Sequence, residues 1–248
     1  MEKENKSKKR SFKKIGLWIL AISVIIVGGS YLFIQTLTYG ATPQAQQVTQ
    51  EAQTEKNVTF YDSGNPEAVG IIFYPGAFVK PESYSLWAQQ IADAGHDVYV
   101  MHFPLNLAVF GDNRASEVQE QHPEQSFVLA GHSLGGVMAS RYVVSNPEKI
   151  VGMIFMASYP DEKGALNELD IPVLSITGSK DGVLNQEAYE SGKQFLPAET
   201  TFEVIEGGNH AGFGSYGAQK GDKAAAISNE EQQAIISQLL IEWLNTLA

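Results

Sequence analysis

The chain has 248 residues, of which 17 are Lys or Arg and 28 are Asp or Glu, so its formal net charge is −11. The first 14 residues carry seven of the basic residues and two of the acidic ones, which leaves ten basic and 26 acidic residues, a charge of −16, on the rest. Such a surface repels polyanions, which argues against nucleic acid as a partner and against an electrostatic hold on anionic lipid. The absence of cysteine excludes disulfides, thiolate metal sites and a cysteine nucleophile.

An apolar segment follows the basic tail. Residues 15–37 are 23 residues without a formal charge, and a helix of that length spans about 34 Å, enough for a bilayer core of about 30 Å. Because the basic residues 1–14 lie before it, the positive-inside rule places them in the cytoplasm and the chain after residue 38 outside the cell. A signal peptide cut after Ala41 is the alternative, but this apolar region is much longer than that of most signal peptides. We therefore predict a retained single-pass anchor in the cell membrane.

The next segment differs sharply in composition. Residues 39–56 are rich in Gln, Thr and Ala and contain almost no large apolar side chain. A segment of this kind buries little surface, so we predict a flexible stalk over residues 38–56. The remaining residues, 57–248, are long enough for one domain with a sizeable core.

Short apolar runs alternate with helical patterns through this domain. Several runs are apolar almost throughout, as strands covered on both faces are. The clearest helix covers residues 83–95, and the last, about 228–247, opens with Ser228 as N-cap and Glu231 as its partner. The alternation predicts right-handed βαβ units and a mainly parallel sheet of about seven strands with helices on both faces. The predicted strands are residues 58–62, 69–75, 97–103, 126–132, 150–157, 171–178 and 200–207.

A serine lies where a ligand site is expected in such a sheet, beyond the carboxyl end of a strand. The sequence "GHSLG" at 131–135 fits G-x-S-x-G, follows a predicted strand and precedes a helical pattern. That context is typical of a nucleophile elbow, a sharp turn that exposes the serine side chain. We predict Ser133 as a nucleophile, and a glycine-rich turn with an idle serine is the alternative.

A serine hydroxyl is a poor nucleophile at neutral pH and needs a base, which a carboxylate orients. Among the five histidines, His210 follows a late strand in a loop with glycines on both sides, so it is the predicted base rather than a solvated loop histidine. We expect His132 to pack beside the elbow and contact substrate. His102 ends a strand near the expected pocket, whereas His96 and His122 occupy positions typical of surface loops.

The orienting acid is expected between the serine and the histidine in chain order. Asp181 lies just past a predicted strand, in a turn between Gly178 and Gly182, and is the predicted acid. Asp161 and Asp170 are its rivals, and each is also explained as a turn or strand-edge acid.

Two backbone N–H groups are expected to stabilise an oxyanion. One is that of Leu134, directly after the nucleophile, and the other comes from the loop after the strand at 69–75. In that loop Gly76 lets the chain bend back, Ala77 is the predicted donor and Phe78 the alternative.

From about residue 58 to 247 the sequence resembles the α/β-hydrolase superfamily, through "YPGA", "GHSLGG", "TGSKDG" and "GGNH" in that order. It is similar in particular to compact bacterial dienelactone-hydrolase-like serine hydrolases, in "PLNLAVFGDNRA" and "HAGFGSYG". The resemblance implies the α/β-hydrolase fold. It also implies a Ser133, His210 and Asp181 triad that transfers an acyl group to water without a metal or an organic cofactor.

The expected substrate is a small or medium uncharged ester. Only about fourteen residues, "ASYPDEKGALNELD", separate two predicted strands after the elbow, too few for a large lid domain, so the site is expected to be open. The apolar loop 103–110, with Phe78, Phe213 and Tyr216, is expected to line a pocket, and burial of the loop under the next helix is the alternative.

Other functions fit parts of the same pattern. An amidase or peptidase would use the same triad, and a membrane-tethered binding protein with an inactive site would need none of it. Halide and epoxide chemistry on this fold uses aspartate at the elbow, so Ser133 argues against it. The sequence leaves the oligomeric state open.

Overall fold

The computed structural model describes the backbone of residues 2–247 and the side chains of residues 18–247. The chain divides into a unit that ends at Thr38 and a unit that begins at Tyr39. The first unit is one helix, α1 (Glu2–Leu37), and its apolar part, Trp18–Leu37, is long enough to cross a membrane. This confirms an apolar N-terminal helix. The side chains of the predicted basic tail 1–14 are not among those that the structure describes.

The second unit contains one eight-stranded sheet in the order β1-β2-β4-β3-β5-β6-β7-β8. β2 pairs antiparallel with β1 and β4, and every other neighbouring pair is parallel. All seven predicted strands are present, and β1 is additional. The strands are β1 (Gln53–Thr54), β2 (Val58–Tyr61), β3 (Gly70–Tyr74), β4 (Val98–Met101), β5 (Phe127–His132), β6 (Ile150–Met156), β7 (Val173–Gly178) and β8 (Thr201–Ile205).

Helices cover both faces of the sheet, as predicted. Ile71 and Phe73 of β3 pack into the core on the side of helices α3 (Ser85–Asp93) and α7 (Asn229–Leu244). Ile72 and Tyr74 pack into the core on the side of helices α4 (Ala115–Gln121) and α5 (Leu134–Ser145). The central strands β3, β4 and β5 are buried along their whole length, which explains their almost uniformly apolar sequences. The helices of this unit are α2 (Pro43–Glu51), α3 (Ser85–Asp93), α4 (Ala115–Gln121), α5 (Leu134–Ser145), α6 (Gln186–Gly192) and α7 (Asn229–Leu244).

Two details of the sequence analysis are confirmed. Ser228 is the N-cap of α7, and its side-chain oxygen accepts the Glu231 N–H at 3.1 Å. Between β6 and β7 the described chain contains a single short 3₁₀ turn, Glu162–Gly164, so there is no large lid at that position.

Residues 38–56, predicted as a flexible stalk, instead fold onto the domain from Tyr39 onward. The segment contains α2 and β1, and Ala45 of α2 is fully buried beside Leu86 of α3. The sequence argument considered large apolar side chains, whereas this segment is held by two small buried residues, Ala41 and Ala45, and by hydrogen bonds. Thr42, for example, caps α2 by accepting the Ala45 N–H at 3.3 Å.

Because the sheet is buried at its centre and exposed at its β8 edge, shortening a side chain is expected to lower the free energy of unfolding more in β3 than in β8. Ile72 is fully buried in β3, so Ile72→Ala is expected to lower the free energy of unfolding by about 2–5 kcal/mol. Val204 of β8 is 60% exposed, so Val204→Ala is expected to change it by only about 0.5 kcal/mol. Denaturant unfolding of the full chain in detergent measures both. Equal losses for the two variants would contradict this description of the core.

Candidate active site

Ser133 lies at a strained turn between β5 and α5. Its backbone adopts φ 52° and ψ −125°, a conformation that non-glycine residues rarely hold and that surrounding structure must enforce. The Ser133 N–H donates to the Met156 carbonyl at 3.0 Å, and the Ser158 hydroxyl donates to the Ser133 carbonyl at 2.6 Å. Strand β6 and the residues after it therefore hold the turn from one side.

The glycines of the motif have a steric cause. A Cβ at Gly131 would lie 2.4 Å from the Gly136 nitrogen, and a Cβ at Gly135 would lie 2.0 Å from the Tyr74 carbonyl oxygen. Each contact is with backbone, which cannot move aside without distorting the sheet or the helix. The G-x-S-x-G spacing thus allows β5, α5 and β3 to approach closely enough to form the turn.

His210 and Asp181 form a buried pair at the ends of β8 and β7. The His210 Nδ1 atom lies 2.8 Å from Asp181 Oδ2, and the two side chains are only 1% and 4% exposed. The other carboxylate oxygen, Oδ1, accepts the N–H groups of Val183 and Leu184, each at 2.8 Å. Asp181 can therefore hold His210 with Nδ1 protonated, which leaves Nε2 as the basic atom.

The hydrogen bonds also favour the charged form of the acid. Burial alone would raise the pKa of Asp181, but the hydrogen bond and charge of His210, with the Leu184 and Val183 N–H groups, outweigh it and lower the pKa below its usual value. Asp181 is thus a carboxylate at neutral pH.

The two rival acids have other roles. Asp161 forms a two-point ion pair with Arg141 and accepts the Gly164 N–H at 3.2 Å, which caps a 3₁₀ turn. Asp170 is exposed at a loop before β7. Neither is among the described hydrogen-bond partners of His210.

Ser133 and His210 line one cavity of about 240 Å³. Nε2 of His210 is buried and has no hydrogen-bond partner in the described part of the chain, Ser133 included. The structure thus brings the two residues to one cavity without joining them by a hydrogen bond. Such bonds are often long without substrate and tighten when it binds. The other lining residues are Leu134, Val137, Ala157, Ser158, Tyr159, Val183, Leu184 and Asn185. The sequence analysis predicted Leu134 as an oxyanion donor and none of the others.

The two candidates for the second oxyanion donor differ in their hydrogen bonds. The Phe78 N–H donates to the Asn106 carbonyl at 2.8 Å, whereas no described residue accepts the Ala77 N–H. The Leu134 N–H is the first of α5, where a helix supplies no acceptor of its own. The hydrogen bonding therefore favours Ala77 and Leu134 as the pair.

A buried tyrosine, which the sequence analysis missed, links this loop to the elbow. The Gly76 N–H donates to the Tyr84 hydroxyl oxygen at 2.9 Å, so the Tyr84 O–H is free to donate to His132 Nδ1, also at 2.9 Å. The His132 ring packs 4.6 Å from the His210 ring, centre to centre. Burial, followed by the nearby charge of His210, lowers the pKa of His132 well below its usual value, so His132 is neutral.

Two predicted substrate contacts are therefore wrong. His132 is 1% exposed and Phe213 is fully buried, with its ring stacked 5.7 Å from that of His132. Both pack beneath the site because an apolar or neutral aromatic ring gains more from burial there than from contact with a solvated cavity.

Phe78 is half-buried and is not among the residues that line the cavity. Tyr216 is buried, and Val109 and Phe110 of the 103–110 loop are exposed. Neither Tyr216 nor any residue of that loop is among those that line the cavity.

Asp222 is a second residue that the sequence analysis missed. Its two carboxylate oxygens accept the N–H of Gly182, next to the acid, at 2.9 Å and the N–H of Ala211, next to the histidine, at 2.8 Å. It therefore fixes the distance between the two loops that carry the pair. No motif marks it, because it lies after the histidine in a loop rich in Gly, Ala and Lys.

Solved structures similar to this one share its fold. An α/β-hydrolase enzyme from a lagoon-sediment metagenome in Morocco is 17% identical, with a TM-score of 0.59, over 79% of this chain and 98% of the other. A monoacylglycerol lipase of Paleococcus ferrophilus is 14% identical, with a TM-score of 0.58, over 78% and 100%. A dienelactone hydrolase of Anabaena variabilis is 16% identical, with a TM-score of 0.58, over 76% and 90%.

The sequence itself matches a family model. No curated protein matches the chain at a significant level. The model of the alpha/beta hydrolase family, however, matches residues 70–234, which extend from β3 into α7 and include the elbow, the acid and the histidine. The chain is a member of the alpha/beta hydrolase family.

Proposed function

We propose that this protein is a serine carboxylesterase that hydrolyses small, uncharged esters through Ser133, His210 and Asp181. The observation that carries the proposal is the buried His210–Asp181 pair, 2.8 Å apart, at the cavity that His210 and Ser133 both line. A binding protein has no need of a buried acid–histidine pair beside a serine that is held in a strained turn.

The three residues act in turn as nucleophile, proton carrier and stabilising charge. His210 Nε2 takes the Ser133 proton as the serine oxygen attacks the ester carbonyl carbon, and Asp181 stabilises the imidazolium that forms. His210 then gives the proton to the leaving alcohol, which leaves an acyl-enzyme. Water, deprotonated by the same nitrogen, attacks the acyl group and releases the acid and the free serine.

The N–H groups of Leu134 and Ala77 would bind the oxyanion of both tetrahedral intermediates. Each such donor is worth about 10²–10³ in kcat in serine hydrolases. The position of Leu134 at the start of α5 adds the positive end of the helix dipole to the same charge.

The size and lining of the cavity support small esters. Its volume of about 240 Å³ is below the range of roughly 300–1,000 Å³ that pockets for drug-sized ligands occupy. Leu134, Val137 and Leu184 give it apolar walls. The acidic remainder of the chain, at −16, disfavours anionic substrates. Several of the similar structures are named as esterases or lipases, which agrees with an ester substrate.

The location of the domain is a further part of the proposal. We propose that the apolar part of α1, Trp18–Leu37, is retained as a single-pass anchor with residues 1–14 in the cytoplasm, so that the hydrolase domain acts outside the cell membrane. The seven basic residues within 1–14, before that apolar part, support this orientation.

The proposal predicts the behaviour of a series of p-nitrophenyl esters, from acetate to decanoate. The full chain in detergent is expected to hydrolyse the short esters with the highest kcat/KM, since the cavity is small, and Ser133→Ala is expected to lose turnover. Release of p-nitrophenol measures both.

The exposed Ser191 provides the control, and Ser191→Ala is expected to keep wild-type rates. Turnover that persists in Ser133→Ala would show that another group carries the reaction. A preference for decanoate would contradict the assignment of the cavity.

The hydrogen bond between His210 and Asp181 predicts a second result. Asp181→Asn keeps the size of the side chain but cannot hold Nδ1 protonated or stabilise the imidazolium, so kcat is expected to fall by about 10⁴-fold. Asp170→Asn, the same change at an exposed rival acid, is expected to leave kcat unchanged. Steady-state kinetics of the two variants decide the matter, and similar values of kcat would rule out Asp181 as the acid.

A further inference from the structure

The segment after the apolar helix makes backbone contacts with the oxyanion loop. We use the name strap for residues 39–52. The Tyr39 N–H donates to the Phe78 carbonyl at 2.7 Å, and the Lys80 N–H donates to the Tyr39 carbonyl at 3.1 Å. Tyr39 thus forms a parallel β-bridge with Val79, two residues beyond the candidate donor Ala77.

This contact fixes a strained residue. Phe78 has φ 58°, in the left-handed region that a non-glycine residue keeps only where its surroundings hold it there. Its N–H is held by the Asn106 carbonyl and its own carbonyl by the Tyr39 N–H. On the other side of Ala77, the Gly76 N–H is held by Tyr84. The direction of the free Ala77 N–H is therefore set by contacts on both sides, and the strap supplies one of them.

The same strap also holds the loop that follows the histidine. The Thr42 N–H donates to the Ser215 carbonyl at 2.8 Å, and the two hydroxyl groups lie 2.9 Å apart. The Tyr39 ring packs against Tyr216 with 5.5 Å between centres, and its hydroxyl accepts the Lys220 N–H at 3.2 Å.

The strap is itself attached to the domain. Ala45 of α2 is fully buried, and its carbonyl accepts the Ser85 hydroxyl of α3 at 2.7 Å. Within seven residues, the strap therefore contacts the oxyanion loop, the loop after the histidine and helix α3.

We propose that the strap is a positioning element of the active site, so that full activity requires Tyr39 and Thr42 in place. The inference rests on the proposed esterase function. It has a consequence for processing: a peptidase cut after Ala41 would release the domain but separate Tyr39 from Thr42, so a cut of that kind would release an enzyme of reduced activity. The strap thereby couples activity to the continuity of the chain with its apolar helix.

Two substitutions at Tyr39 in the full chain isolate the backbone contact. Tyr39→Ala keeps the N–H but removes the ring, whereas Tyr39→Pro removes both. Relative to Tyr39→Ala, Tyr39→Pro is expected to lower kcat for p-nitrophenyl acetate at least tenfold, while KM changes less than threefold, because misplaced groups weaken the transition state more than substrate binding. The inhibition constant of phenylboronic acid, which forms a tetrahedral adduct with serine, is expected to rise by a similar factor.

A merely structural role would give a different result. A fluorophosphonate, which reacts with the active serine, titrates and so counts the active sites. A merely structural role would lower the number of active sites per chain but leave kcat per titrated site and the affinity for the boronic acid unchanged. That result would overturn the inference. If the wild type turns over the ester normally and the two variants have equal kcat per titrated site, the inference about the strap is overturned, whereas the proposed esterase function is not. A wild type without ester turnover would overturn the proposed function and the inference with it.

Thr42 offers a second pair if Tyr39→Pro does not fold. Thr42 has φ −62° and ψ 158°, which proline adopts without strain, so Thr42→Pro removes its N–H bond to Ser215 in a compatible backbone. Thr42→Ala also removes the hydroxyl and γ-methyl groups but keeps the N–H. A kcat per titrated site at least fivefold lower in Thr42→Pro than in Thr42→Ala is expected, and equal values would overturn the inference.

Discussion

The site depends on one buried hydrogen bond, between His210 Nδ1 and a carboxylate oxygen of Asp181. Both side chains are almost completely removed from solvent, where a carboxylate is costly unless its oxygens are bonded. Asp181 meets that condition with three donors, His210 and the N–H groups of Val183 and Leu184. The bond sets which nitrogen of His210 is basic, and so it determines what Ser133 can do.

The sheet explains why the residues meet. Ser133 follows β5, Asp181 follows β7 and His210 follows β8. The three strands are parallel, with β6 between β5 and β7 and with β8 next to β7. Their carboxyl ends therefore lie on one edge, and the loops beyond them converge. Hydrogen bonds between loops then fix the positions of these residues. Ser158 bonds to the elbow, Asp222 bonds to the loops of the acid and the histidine, and Tyr84 bonds to the oxyanion loop.

The sequence was sufficient to predict the residues whose role is local. Ser133 directly follows β5, and Asp181 and His210 lie in the loops that follow β7 and β8. The glycines around Ser133 reflect steric limits within a few residues. The strands themselves were predictable because buried parallel strands are apolar on both faces. The rivals Asp161 and Asp170 were harder to dismiss from sequence, since only the Arg141 ion pair and the exposure of Asp170 show their other roles.

The features that were missed depend on contacts between distant parts of the chain. Tyr84 bonds to His132, 48 residues away, and Thr42 bonds to Ser215, 173 residues away. A composition argument cannot detect such pairs, which is why it predicts a stalk over residues 38–56. Sequence position places Phe213 and His132 near the catalytic motifs, but it does not show whether a side chain faces the cavity or is buried, and both are buried.

The most direct test of the central claim is covalent labelling of the full chain with a fluorophosphonate, followed by peptide mass mapping. The account predicts one adduct per chain, on Ser133, formed much more slowly in Asp181→Asn because the base is no longer held in its reactive tautomer. An adduct on another serine, or a rate that Asp181→Asn leaves unchanged, would contradict the claim that the buried pair activates Ser133.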